Sequence, residues 1–326
     1  MNTLAVIGLG NIAKRHRQNL KALYPQANII ALSASGRVAN QPIEFADLVL
    51  SNINELIDYK PELVIVASPA SLHETHATTL MKHNIPLLIE KPLAAEPESA
   101  DRILTLAQSH NSPVMVGYCL RYLSSAIVIK QLLLEDLIGK IYNCSAVVGQ
   151  YLPDWRPNKH YSESVSAQKS LGGGALLELS HELDYLHWLL GPLKLSYAQL
   201  RTTNELALEV EEIADLILTS QQGTVCYIHM DFIQKQAQRE CTFIGSKGRL
   251  HWDLITNTIR HYNSEGTQVL YSQPEWNKNQ MYFNMVTDFV SHIQHKQHTN
   301  TSLIDAHQTV RLIAKIKQQA EWGVTQ

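Results

Sequence analysis

Residues 3–16 read TLAVIGLGNIAKRH, and the fold follows from how this stretch is parsed. Thr3 to Ile7 is a short aliphatic run of the length of a buried strand. Gly8, Gly10 and Ala13 then fall in the spacing G-x-G-x-x-G/A, and Ile12, His16, Leu20 and Leu23 recur at helical spacing until Pro25 closes the helix. A strand, a glycine turn and a helix in that order open a βαβ unit. The first glycine permits the tight turn, the second lets backbone approach a pyrophosphate, and the small third residue lets helix and strand pack closely. Asn11 and Ile12 would sit in the first helical turn, with their N–H groups turned toward the phosphates.

Outward from this point, short aliphatic runs alternate with amphipathic stretches as far as residue 120. ANIIALSA, LVLS, LVIVASP, PLLIEKP and PVMVGYC read as strands, separated by helical stretches such as HETHATTLMKHN and ESADRILTLAQSHN. That alternation predicts an α/β, doubly wound parallel sheet with helices on both faces, which binds ligands beyond the carboxyl ends of its strands. After residue 120 the rhythm changes. A helix over about 124–137, an alternating strand KIYNCSAVVGQYL and a polar loop lead to LGGGALLELSHELDYLHWLLGP, a helix that starts at glycines. From Leu193 to about Tyr271 strands follow one another with hairpin signals such as SQQG and GSKG, which predicts a large, mainly antiparallel sheet in an α+β domain. Two helices, around 281–295 and 305–322, are expected to end the chain. The domain boundaries expected are 1–120 and 121–326, with the last helices free to pack back on the first domain.

The 326-residue chain has a net charge of −3, which gives no reason to expect nucleic acid or an anionic membrane surface as partner. Its cysteines (Cys119, Cys144, Cys226, Cys241) are scattered, without a CxxC pair, and read as reduced thiols. The first residues lack the basic and apolar pattern of a signal peptide and no apolar run is long enough to span a bilayer, so a soluble, cytoplasmic protein is expected. The His-rich HIQHKQH at residues 292–298 reads as solvated surface, and no metal site is expected.

At the end of the second strand, where NAD-preferring folds commonly carry an acid for the ribose 2′-hydroxyl, the sequence is ALSASGR. The first acid in the whole chain is Glu44. Ser33, Ser35 and Arg37 suit a 2′-phosphate, so NADP is the expected cofactor with NAD as the alternative. Ser68 and Pro69 end another strand over the same crevice, with His73 and His76 opening the next helix; His76 reads rather as a helix-face residue. In LLIEKPLA, residues 87–94, Pro92 holds Lys91 extended at a strand's carboxyl end. An ammonium there is placed to donate to a substrate hydroxyl and to stabilise an alkoxide, with Glu90 anchoring it. On the glycine-started helix, Glu178, His181, Glu182 and Tyr185 share a polar stripe. His181 is then either a general base or a satisfied structural histidine.

Taken together, GLGNIAKRH, VIVASPASLHETHA, EKPLA, VGYCLRYLSS, LGGGALLELSHELD and DAHQTVRLI resemble the Gfo/Idh/MocA family of sugar and polyol dehydrogenases, in its order and over nearly the whole chain. The resemblance implies an N-terminal Rossmann domain, a C-terminal domain whose sheet mediates a homodimer or homotetramer, a catalytic lysine at Lys91 and the histidine of an H-x-x-D motif at His181, followed by Asp184. The family commonly has an aspartate four residues before that histidine; here that residue is Leu177, and Glu178 stands three before. Arg121 and Tyr122 match the cofactor–substrate junction, while Trp155, Arg156, His160 and Tyr161 fall on the substrate side; Arg156 and Lys159 hint at an anionic group. The function implied is hydride transfer between nicotinamide and a secondary hydroxyl or ketone of a sugar derivative. His181 would take the hydroxyl proton and Lys91 would steady the alkoxide. The alternatives are a non-catalytic cofactor-binding redox sensor and an enzyme with a different hydride acceptor.

Overall fold

Thr3–Ile7 forms β1 and Asn11–Leu23 forms α1, as the opening stretch requires. There follow β2 (Asn28–Leu32), β3 (Leu48–Leu50), α2 (Ile53–Asp58), β4 (Leu63–Val66), α3 (His73–Met81), β5 (Leu87–Ile89), α4 (Pro97–His110) and β6 (Val114–Val116). In the computed structural model, residues 1–38, 40–110, 112–155 and 160–325 are described. The chain divides into one unit of Met1–Cys119 with Asn279–Val310, and a second of Leu120–Lys278 with Arg311–Gln326.

The first unit is built on a six-stranded sheet in the order β3-β2-β1-β4-β5-β6, every neighbouring pair parallel. Its register sets Ala5 between Ile30 and Val64, and Val64 beside Leu87. β4 and β5 are buried along their whole length, as are all but the first residues of β1 and β2. Covered on both faces, such strands read as continuous aliphatic runs rather than alternating ones. Ile7, Val66, Leu80, Ile89, Ile103 and Val310 belong to one core. The strand order reverses direction between β1 and β4, the switch point at which such sheets bind ligands.

The second unit contains α5 (Ser124–Leu134), β7 (Ile141–Gly149), α6 (Ala175–Glu178), α7 (His181–Leu190), β8 (Leu193–Thr203), β9 (Ile213–Ser220), β10 (Val225–Asp231), β11 (Gln238–Gly245), β12 (Gly248–Asp253), β13 (Thr258–Asn263) and β14 (Gly266–Ser272). The chain ends with α8 (Gln280–His295), α9 (Leu303–Gln319) and β15 (Glu321–Thr325). A nine-stranded sheet runs β14-β13-β12-β11-β7-β10-β9-β8-β15. Cys144, Ala146, Cys226, Ile228, Met230, Cys241 and Phe243 are buried along it, whereas Tyr197 and Tyr227 are exposed.

This sheet is mainly antiparallel, as expected, with two parallel pairs, β10 with β7 and β15 with β8. The β7–β10 pairing follows from α6, α7, β8 and β9 intervening in the chain, which brings β10 back in the same sense. The final helix departs from the sequence reading: it stops at Gln319, and Glu321–Thr325 is a strand rather than its last turns. After Ile316 the apolar helical period lapses, and Trp322, Gly323, Val324 and Thr325 gain more from pairing with Leu200–Thr203 than from extending a helix. Among the described residues, no helix is long and apolar enough to cross a membrane.

Candidate functional site

In the first unit, Gly10 N-caps α1 with extended backbone (φ −76°, ψ −176°), and no side chain caps that end among the described residues. The first turn carries no acid, and among the described residues a Cβ on Gly10 would meet nothing within 4 Å. Gly8 is the opposite case. Its φ is +117°, and a Cβ there would lie 2.9 Å from the Ala67 carbonyl carbon and closer still to the oxygen. Gly8 lets β1 turn tightly against the end of β4; Gly10 leaves bare backbone facing open space. Ala13 is fully buried, and Arg17, also buried, donates from Nη1 to the Gly8 carbonyl at 3.0 Å and from Nε to the Glu44 carbonyl at 3.0 Å. Uncapped N–H groups at the positive end of a 13-residue helix, beside an open glycine, fit the pyrophosphate of a dinucleotide.

Beyond β2, Ser33 is buried and donates its N–H to Leu50 at 3.0 Å, while the Gly36 N–H reaches the Ser33 carbonyl at 3.3 Å and closes a turn. Ser35 and Arg37 are exposed. The two acids next along the chain are engaged elsewhere, Glu44 with Lys14 at 2.6 Å and Asp47 with Lys21 at 2.5 Å. His76 braces this turn: Nδ1 lies 3.0 Å from Ser68 Oγ, and the ring also hydrogen-bonds the Ala34 backbone. Burial, helped by neighbouring His73, pushes its imidazole down to about 4, so it is neutral at physiological pH. Ser68 and Pro69 lead from β4 into α3.

Glu90 and Lys91 directly follow β5. Glu90 is buried; its Oε1 lies 2.6 Å from His16 Nε2, and its Oε2 accepts the Lys91 N–H at 3.1 Å. Lys91 is half-buried and the Lys91–Pro92 bond is cis. His73, expected at the cofactor, is 1% exposed, with Nδ1 3.0 Å from the Pro92 carbonyl and Nε2 2.8 Å from the Ser68 carbonyl. It ties the β4 loop to the turn that carries Lys91. Burial lowers its pKa against the pull of those carbonyls and of Glu90.

In the second unit, the polar stripe expected on one helix is interrupted. Glu178 ends α6, Leu179 leaves helical geometry (φ −100°, ψ 23°), and His181 begins α7. The break starts at the glycines: Gly174 has φ +105° and leaves no room for a Cβ beside the Glu211 carboxylate, which accepts the Leu176 N–H at 3.2 Å. That carboxylate caps a single turn, and a fresh helix then starts at His181. Two members of the stripe are structural. Glu182 is held by both arms of Arg239 (2.8 and 2.9 Å), and Tyr185 packs edge-on against Trp252 at 5.2 Å. His181 is 8% exposed, and Glu178 accepts from Ser166 Oγ at 3.1 Å.

Arg121, expected at the cofactor, is 1% exposed and grips Asp184 through Nε at 2.9 Å and Nη2 at 2.7 Å, beside the Trp188 ring. It fixes the helix that carries His181. Tyr122 is buried, Trp155 packs edge-on against Phe232 at 5.4 Å, and the Tyr161 hydroxyl donates to the Leu206 carbonyl at 3.2 Å. His160 stacks on Tyr161 at 4.6 Å. Arg156 and Lys159 lie outside the described residues. Sequence reasoning placed His16 on the helical stripe of α1 without finding its partner, counted Arg17 only among the basic residues that precede Glu44, and gave no role to Gly117, Ser166 or Arg239. A histidine within an apolar helical stripe was the available signal for the first of these.

Comparison with known proteins agrees with this architecture. Residues 3–118 match "Oxidoreductase family, NAD-binding Rossmann fold", and residues 127–251 match "GFO/IDH/MocA C-terminal domain". An uncharacterized oxidoreductase of Synechocystis sp. is 28% identical over 83% of this chain and 71% of its own length. Inositol 2-dehydrogenase of Agrobacterium fabrum is 28% identical over 57% of this chain, and the match spans about half, 54%, of that enzyme. Among solved structures, levoglucosan dehydrogenase in complex with NADH and levoglucosan shares the fold, with a TM-score of 0.85 over 98% of this chain and 96% of that one, at 18% identity. With both halves matched, the protein belongs to the Gfo/Idh/MocA family of oxidoreductases, and residues 3–118 are its NAD-binding Rossmann fold.

Proposed function

We propose that the protein is a nicotinamide-dependent dehydrogenase or reductase acting on a secondary hydroxyl or ketone of a sugar or sugar derivative. The observation that carries this reading is Lys91, set directly beyond β5 of a sheet ordered β3-β2-β1-β4-β5-β6, its main chain held by a buried carboxylate. The names of similar proteins, an inositol dehydrogenase and a levoglucosan dehydrogenase, support a polyhydroxylated substrate.

Each residue then has a task. The N–H groups of Asn11, Ile12 and Ala13 and the bare backbone at Gly10 hold the pyrophosphate, and the loop at Ser68 and Pro69 borders the nicotinamide side. When bound, the nicotinamide supplies the hydride acceptor or donor. Lys91 donates to the substrate oxygen and stabilises negative charge as the hydroxyl proton leaves. His181 accepts that proton in oxidation and returns it in reduction. Asp184, gripped by Arg121, holds the His181 helix in place. Glu178, oriented by Ser166, is assigned to substrate hydroxyls together with Trp155, Tyr161 and Tyr122.

NADP is the cofactor we assign. Beyond β2 stand Ser33, Ser35 and an exposed Arg37, and the nearest acids in sequence, Glu44 and Asp47, are neutralised by lysines. A planar guanidinium suits a phosphate monoester. The NADH in the levoglucosan dehydrogenase structure speaks for the other cofactor, so the assignment rests on this chain's own residues. Arg37→Ala should weaken NADP+ binding by about tenfold, the value of one charge-assisted hydrogen bond, and leave NAD+ binding unchanged. Equal affinities for the two cofactors in the unaltered protein, with no response to Arg37→Ala, would overturn it. For the reaction itself, Lys91→Ala should lower kcat by about 10²–10⁴ with cofactor affinity retained. Turnover that survives this change would remove Lys91 from the mechanism.

A further inference from the structure

The carboxylate that holds the Lys91 main chain has a buried partner in the first unit with no part in the roles above. His16 of α1 is fully buried, and its Nε2 meets Glu90 Oε1 at 2.6 Å. Burial alone would raise the Glu90 pKa, but the hydrogen bond and charge of His16, with the charge and N–H of Lys91, outweigh it and hold the carboxyl below its usual range. An ionised carboxylate only accepts, so His16 carries its proton on Nε2. Behind the carboxylate stands Gly117, where a Cβ would lie 3.2 Å from the carboxyl carbon and 3.3 Å from both oxygens. On the other side of the imidazole, Tyr282 of α8 presents its ring edge-on at 5.9 Å, with Arg15 4.8 Å from that ring. Among the described residues, the titratable and charged groups around this carboxylate are His16 and Arg15 of α1, Lys91 beside it, His73 of α3, Tyr282 of α8 and Cys119 after β6.

We infer that His16 is a positioning residue of the reaction: its Nε2–H seats the Glu90 carboxylate, and that carboxylate fixes the main chain of Lys91 and the field at its ammonium. The inference rests on the proposed role of Lys91. His16 touches neither cofactor nor substrate in this account, and acts only through Glu90. The arrangement leaves the carboxylate one seat, with a donor in front of it and a glycine behind.

The test compares His16→Leu, which deletes the donor, with His16→Gln, whose amide N–H has a similar reach, and Gly117→Ala, which crowds the carboxylate from behind while leaving His16 intact. The first readout is the titration of the Glu90 carboxyl by carbon NMR in cofactor-free protein, its resonance identified by its loss in Glu90→Gln. The second is the pH profile of kcat. In His16→Leu the carboxyl midpoint should move toward neutrality, and kcat at about pH 6 should fall tenfold or more, recovering toward about pH 8. His16→Gln should restore both readouts, and Gly117→Ala should lower kcat with KM little changed.

An unmoved carboxyl titration in His16→Leu, or a loss of activity uniform with pH, would reduce His16 to a packing residue. If His16→Leu does not fold, full activity and a normal titration in Gly117→Ala would overturn the inference equally. Turnover retained in Lys91→Ala would sink the underlying mechanism. An inactive Lys91→Ala beside an unaffected His16→Leu would leave that mechanism standing and remove only the inference.

Discussion

Gly8 and Gly10 belong to one motif, yet alanine at each should fail differently. At Gly8 the backbone is at φ +117°, a region that L side chains rarely adopt, and a Cβ would press into the Ala67 carbonyl. The loop cannot yield easily, since the Gly8 N–H bonds Leu32 at 2.8 Å and its carbonyl accepts from Arg17 at 3.0 Å. Backbone strain of about 1–3 kcal/mol plus the contact puts the cost of Gly8→Ala near 3 kcal/mol, or roughly 4–5 °C in Tm for a chain of 326 residues. At Gly10 the φ of −76° suits alanine, and among the described residues the Cβ meets nothing within 4 Å. Gly10→Ala should leave Tm unchanged or raised by about 1 °C through the less flexible unfolded chain. Its methyl would stand where the pyrophosphate approaches, so cofactor affinity should fall about a hundredfold, the effect of losing two or so hydrogen bonds to a charged group. Thermal unfolding without cofactor and titration of nicotinamide fluorescence separate the two effects. A Gly10→Ala variant that binds cofactor normally would refute the placement of the dinucleotide on this loop. A Gly8→Ala variant of unchanged Tm would refute the steric argument.

Other outcomes follow from the same reasoning. Arg121→Met should cost about 3–5 kcal/mol in urea unfolding by taking the two-pronged guanidinium away from the buried Asp184 carboxylate, and Arg121→Met with Asp184→Leu should recover most of it. His229, bonded to Asp231 and Asp215, has a raised pKa: the Asp231 hydrogen bond is the largest cause, burial opposes it, and Asp215 adds to it. A raised pKa contributes stability that is complete below the unfolded value of about 6.5 and lost as pH rises through the folded one. The stability gap between the unaltered protein and His229→Gln should therefore be widest below the unfolded value of about 6.5 and narrow as pH rises above it; a gap independent of pH would contradict it.

What the sequence disclosed and what it hid divide by range. The β1–α1 opening, the parallel order of the first sheet and the position of Lys91 all follow from contiguous residues, because a turn, a helix stripe and a buried strand are local patterns. The helix break between Glu178 and His181 was invisible, since the capping carboxylate of Glu211 comes 35 residues later. The same holds for His16 and Glu90, 74 residues apart, and for Arg239 on Glu182, 57 apart. His16 stood out as a polar residue in an apolar stripe, but nothing local names its partner. Arg121 and His73 were legible as polar residues near strand ends, whereas their commitment to Asp184 and to backbone carbonyls depends on tertiary packing. β15 was lost because a five-residue edge strand draws its stability from β8 rather than from itself.

The most direct test of the central claim is nicotinamide absorbance during incubation with NADP+ or NAD+ and a panel of free sugars, inositols, sugar phosphates and sugar nucleotides, with Lys91→Ala alongside. Turnover of a polyhydroxylated substrate, faster with NADP+, is expected, with its near-complete loss in the variant. Tight cofactor binding with no turnover across the panel, in either direction, would contradict it and point to a protein that senses its cofactor or retains it.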